Sequence, residues 1–169
     1  HQGSQGNQVF GIGRADDGSS HPEARGETPI RLSGASNNDN GEFLFIGHDG
    51  ASASAWTTSE LDSRNFNTQR LAREYRLDES NGDLGDITFT VDVSTLPTLP
   101  SGYSQYYLLE DADGDFTSTD TLHRLDQVGA SNDYRGTFNP ADDAYLTLAV
   151  MEPSVRLVPS SVTLTEANF

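Results

Sequence analysis

The sequence predicts an all-β domain: a β-sandwich of jelly-roll or immunoglobulin-like type, stabilised by Ca2+. Three observations predict it. Short apolar runs alternate with clusters of Gly, Asn, Asp and Pro along the 169 residues, enough for about nine or ten strands. No stretch sustains a helical period, which leaves sheet on sheet as the way to bury the apolar faces. The acids gather in turns, above all in Tyr106–Phe116, where a hydrophobic strand runs into carboxylates at alternate positions.

Taken in order, residues 1–13 read as an N-terminal leader. The polar HQGSQGNQ has the composition of a linker, and Val9, Phe10 and Ile12 form a short strand broken by glycines. Gly11-Ile12-Gly13 is not a phosphate loop, because no helix pattern follows it. Residues 14–151 read as the sandwich, beginning with a long loop around a short strand at Ile30–Leu32. Phe43–Ile46 is a continuous apolar run, expected to be a strand buried on both faces and closed by Gly47-His48-Asp49-Gly50. A single helical turn is expected near Ser59–Ser63. From Leu71 to Leu77 the period is two, with Leu71, Arg73, Tyr75 and Leu77 on one side. Ile87–Val93 alternates apolar and polar residues strictly, as a strand with one face on a core does. Tyr106–Leu109, Thr121–Leu125, Tyr134–Phe138 and Tyr145–Val150 follow, separated by turns. Residues 152–169 read as a strand-rich tail, with Val155–Val158 and Val162–Thr165 interrupted by Pro159.

Composition narrows the functions. Ten basic against 26 acidic residues give a net charge of −16, and every basic residue is Arg. Such a charge repels phosphate backbones and anionic lipid, so neither nucleic acid nor an anionic membrane surface is expected as a partner. Divalent cations or cationic partners fit it. No run of 18 apolar residues is present to span a membrane as a helix. Cysteine is absent, so neither a disulfide framework nor thiol ligands are available. The chain opens at His1 without an initiator Met, as expected either of a secreted chain whose leader has been removed or of a chain trimmed at this end.

Asp111, Asp113 and Asp115 sit close enough to repel one another unless a cation lies between them. Oxygen ligands at alternate positions, with Gly114 easing the turn, suit Ca2+. Thr117 and Asp120 would complete the shell. An EF-hand wants Gly at position six and Glu at position twelve, where this chain has Phe116 and Leu122, so the loop is of another kind. The turn at 78–86 and Asp16-Asp17 are secondary candidates.

Several segments occur in a telling order: Val9–Arg14 with Asp16-Asp17, then Phe43–Asp49, Arg73–Leu77, Gly82–Gly85, and Tyr107–Phe116. Together they resemble an uncharacterised β-rich domain of very large secreted, adhesin-like surface proteins of marine and environmental bacteria. The resemblance covers about residues 9–151. It implies an extracellular setting and a non-catalytic role, and it supplies no catalytic residues. The polar leader and the tail depart from the pattern.

Catalytic patterns are scarce. None of the four histidines has zinc-ligand spacing, and no GxSxG supports His48, Asp49 and Ser52 or Ser54 as a triad. No enzyme is expected; a glycan-active one is the remote alternative, through paired carboxylates. The leading expectation is a structural subunit of a cell-surface assembly. Copies of the chain would be its partners, joined by strand addition through Val9, Phe10 and Ile12 or through the tail. The alternative is a calcium-dependent adhesin module that binds carbohydrate or peptide at an exposed Trp56 with Thr57 and Thr58.

Overall fold

The computed structural model describes residues 3–27, 29–61, 67–117 and 121–153. The strands are β1 (Asn7–Arg14), β2 (Ser20–His21), β3 (Glu23–Arg25), β4 (Ile30–Ser33) and β5 (Phe43–His48). There follow β6 (Trp56–Thr57), β7 (Thr68–Leu71), β8 (Tyr75–Ser80), β9 (Ile87–Asp92) and β10 (Gln105–Asp111). The last are β11 (Thr121–Arg124), β12 (Asp126–Gln127), β13 (Asp133–Phe138) and β14 (Tyr145–Met151). The described helical structure consists of 3-10 turns at Gly3–Gln5 and Val93–Thr95.

They form two antiparallel sheets. The larger runs β11-β10-β14-β8-β5-β1-β2, with β7 also pairing β14 and β6 pairing β7. The smaller runs β12-β13-β9-β4-β3. The predicted all-β sandwich is therefore the fold. Alternation decides which residues enter the core between the sheets. Ile12, Leu44, Ile46, Leu77, Leu108 and Leu146 come from the larger sheet. They meet Ile30, Leu32, Ile87, Phe89 and Val91 of the smaller one. Full burial of each such side chain contributes about 1.5–3 kcal/mol.

A second small core lies on the outer face of the larger sheet. Phe116 folds back from the loop after β10 onto Leu109 and Ala149, and is fully buried. Arg70 lies over its ring at 4.9 Å and is itself buried. The guanidinium donates to the carbonyls of Ser59 and Leu71 and pairs with Glu60 and Glu74.

Three expectations change. The alternation from Leu71 to Leu77 is interrupted at residues 72–74, between β7 and β8. The buried Thr147 hydroxyl spans that break through the carbonyls of Leu71 and Arg73, each 3.0 Å away. Phe43–Ile46 is not buried on both faces. Leu44 and Ile46 point into the core while Phe45 stays 37% exposed, its ring near-parallel to that of Phe43. Those rings fill space beside Gly11 and Gly13, where a Cβ would come within 2.7 and 2.5 Å of ring carbons of Phe45 and Phe43. Finally, the division after residue 13 cuts through β1, which belongs to the sandwich. The tail strands at Val155–Val158 and Val162–Thr165, and the end of the helical turn expected at Ser59–Ser63, lie outside the described residues.

Candidate functional site

Strand direction collects the acidic turns at one end of the sandwich. β10 ends at Asp111 beside Tyr145, the first residue of β14. β8 ends at Ser80 beside Phe43, and β13 ends at Phe138 beside Ile87. The loops at 34–42, 81–86, 112–117 and 139–144 therefore share this end.

The Asp111 loop is built around one carboxylate oxygen. Asp111 Oδ2 accepts the backbone N–H groups of Asp113 (2.8 Å), Gly114 (2.6 Å) and Asp115 (3.2 Å). Asp113 Oδ1 accepts from Asp115 N–H at 2.9 Å. Gly114, at φ +84°, adopts a left-handed conformation that costs glycine little. A Cβ there would also meet the Tyr145 ring at 3.1 Å. Phe116 pins the far side. The anionic cap thus orders the loop, and Asp115 O accepts Thr117 N–H at 2.7 Å. Asp120 lies outside the described residues.

Among the described residues, the acidic group whose oxygens converge is a different one. Asp78, Asp142 and Asp143 place ligand atoms within 4.8 Å of one another. Asp78 comes from β8, at the start of the turn named as a secondary candidate; the other two come from the β13–β14 loop. Each of those two is held in place. Asp142 Oδ1 accepts Glu79 N–H at 2.9 Å, and Asp143 Oδ1 accepts from Arg76 Nη2 at 2.7 Å. Beside them, burial pushes Glu79 up to about 7, with Asp83, Asp142 and Glu42 adding to the rise and the Leu84 N–H opposing it. An open depression of about 210 Å³ adjoins the group, lined by Glu110, Asp111, Thr121 and Asp142 among others. This juxtaposition was hidden in the sequence because its members come from turns far apart in the chain.

Glu110 ties β11 to the β13–β14 loop nearby. Its Oε2 lies 2.5 Å from His123 Nε2, and its Oε1 accepts Ala141 N–H at 2.7 Å. Burial alone would raise Glu110, but those bonds outweigh it and hold the carboxyl below its ordinary value. The His123 ring stacks on Phe138 of the opposite sheet, with centroids 3.5 Å apart.

The remaining expected residues sit elsewhere. Trp56 is half-buried against the core; its indole N–H donates to Thr98 O at 3.1 Å, and its ring lies 6.5 Å from that of Tyr106. Thr57 is half-buried beside it and Thr58 is exposed. Val9 is exposed, Phe10 half-buried, and Ile12 fully buried in the core. Phe10 and Ile12 pair with Ile46 and Leu44 of the same chain. His48 has a bond at each ring nitrogen: Nδ1 accepts Gly50 N–H at 2.9 Å, and Nε2 lies 3.3 Å from Gln8 Oε1. Burial, with Arg73 nearby, lowers its pKa against the pull of Asp49. Ser52 and Ser54 bond to each other rather than to His48.

Fold and site together define an all-β sandwich module with an acidic end. The chain belongs to the family described as Domain of unknown function (DUF8202), whose model matches residues 2–143. No curated protein and no solved structure matches it.

Proposed function

We propose that this chain is a non-catalytic structural module of a secreted cell-surface protein, stabilised by Ca2+ at its acidic end. The observation that carries this reading is the convergence of Asp78, Asp142 and Asp143. Three carboxylates at that spacing repel, and Arg76 supplies one positive charge against them. A calcium ion accepts carboxylate oxygens in flexible geometry and removes the repulsion. The proximity of Glu79, raised by burial and by its acidic neighbours, is a further sign of excess negative charge at this end. The surface setting rests on the resemblance of the ordered motifs to adhesin-like proteins. The bonds made by His48 and by Ser52 and Ser54 favour a structural over a catalytic use of those residues.

Thermal melts in Ca2+ and in EDTA test the reading. A ligand bound only by the folded state at a hundredfold excess over Kd stabilises it by about 2.7 kcal/mol, which is about 5–10 °C for a chain of this size. D142N should remove most of that difference. D113A should leave it in place, unless the cation sits in the loop after β10. Identical wild-type melts in Ca2+ and EDTA would sink the calcium reading.

A further inference from the structure

The outer face of the smaller sheet carries a feature at odds with the rest of the chain. Cross-strand pairing sets Arg25 opposite Arg31, Arg31 opposite Thr90, and Thr90 opposite Arg135. Three of the ten arginines of a chain with net charge −16 therefore lie in one row. Like charges directly opposite one another on a sheet are destabilising, so the row works against stability unless an anion meets it. Asp92 and Asp133 answer it only loosely, at 3.5 Å from Arg25 and 3.8 Å from Arg31, with Arg25 more than half exposed. Among the described residues Arg135 has no ion pair.

Thr90 sits at the centre. Although it faces outward, it is 2% exposed, and among the described residues its hydroxyl has no hydrogen-bond partner. Arg25, Arg31, Pro29, Asp92 and Asp133 wall a pit over it of about 10 Å³, room for a single water-sized atom. A buried hydroxyl left unsatisfied is costly. One oxygen of a carboxylate would fill the pit, accept from the Thr90 hydroxyl, and lie between two guanidiniums whose geometry suits carboxylates.

We propose that this row is a carboxylate-binding site, and that the acidic end of a second copy of the chain supplies the carboxylate. Charge complementarity carries the choice of partner: the loops at 78–86 and 139–144 gather carboxylates, and the Arg row meets them with the opposite sign. End-to-face contact of this kind is heterologous and propagates from copy to copy instead of closing as a dimer. It is a charge-steered contact, weakened by salt. The choice of partner rests on the acidic end proposed above for Ca2+, and it makes cation and neighbouring copy competitors for the same carboxylates.

Sedimentation velocity of the wild-type chain in EDTA at low salt tests it, with NMR of the Thr90 region during titration with sodium acetate as a second arm. The expected result is self-association that rises with concentration, falls in 0.5 M NaCl, and drops about tenfold or more in R31E. T90V should match or exceed the wild type in melting temperature, because it removes an unsatisfied hydroxyl, and should lose the acetate response. Shifts at Thr90 with acetate in a protein that stays monomeric would keep the site and overturn the second copy as its source. A monomer with no acetate response at Thr90 overturns both parts. Calcium binding is scored separately by the EDTA melts, so failure of either reading is distinguishable from failure of the other.

Discussion

Replacing Glu79 with Gln isolates the electrostatic cost of the acidic end. Burial, together with Asp83, Asp142 and Glu42, raises this carboxyl from 4.5 to about 7 in the folded chain. A raised acid binds more protons folded than unfolded, so its contribution to stability falls as pH rises from about 4.5 to 7 and is flat on either side. Each unit corresponds to about 1.4 kcal/mol, or roughly 3 kcal/mol across the interval for a fully buried group. Glu79 is partly solvated, and screening reduces this to about 1–2 kcal/mol. Gln keeps an acceptor for the Leu84 N–H, which Glu79 Oε1 receives at 3.3 Å. In EDTA, E79Q should therefore equal the wild type near pH 4.5 and exceed it by that amount at pH 8. The assay is urea unfolding followed by Trp56 fluorescence at half-unit pH steps. The difference between the two proteins is read, so that His48 and other titrating groups cancel. A difference that stays constant from pH 4.5 to 8, or that favours the wild type at high pH, would refute the reasoning.

Two further perturbations follow from the second core and its loop. D111A removes the acceptor of three backbone N–H groups and should cost about 2–3 kcal/mol in thermal melts, with D111N recovering part of it through its remaining oxygen. R70A leaves Glu60 and Glu74 without their cation and uncovers Phe116; a loss of about 3–5 kcal/mol is expected by urea unfolding. A loss below about 1 kcal/mol for R70A would mean that Arg70 does not hold the loop.

The strands that sequence made legible are those whose alternation faces one core. Ile87–Asp92 and Tyr145–Met151 emerge close to their expected bounds because packing and pattern agree there. The strands at Ser20–His21, Glu23–Arg25, Trp56–Thr57 and Asp126–Gln127 are too short to carry a period, and only their neighbours define them. The break after Leu71 was illegible for another reason: a threonine far along the chain captures the carbonyls. The Asp111 loop was visible as a cluster of like charges, yet its carboxylate turned out to cap backbone amides. Phe116, noticed as a departure from EF-hand spacing, is the anchor of that loop. Neither the convergence of Asp78 with Asp142 and Asp143 nor the arginine row leaves a local trace. The first arises where the β13–β14 loop meets β8 at one end of the sandwich, the second from register between strands.

The position of β14 has a consequence for the order in which the chain can fold. It lies between β10 on one side and both β7 and β8 on the other, so until β14 is available the larger sheet exists as three separate pieces, β11-β10, β6-β7 and β8-β5-β1-β2. On a ribosome, β3, β4 and β9 can pair long before that point, while β8 and β10 wait with open edges. Those edges are templates for misassociation while they last. The rate at which β14 is made and inserted therefore sets how long the nascent protein stays vulnerable.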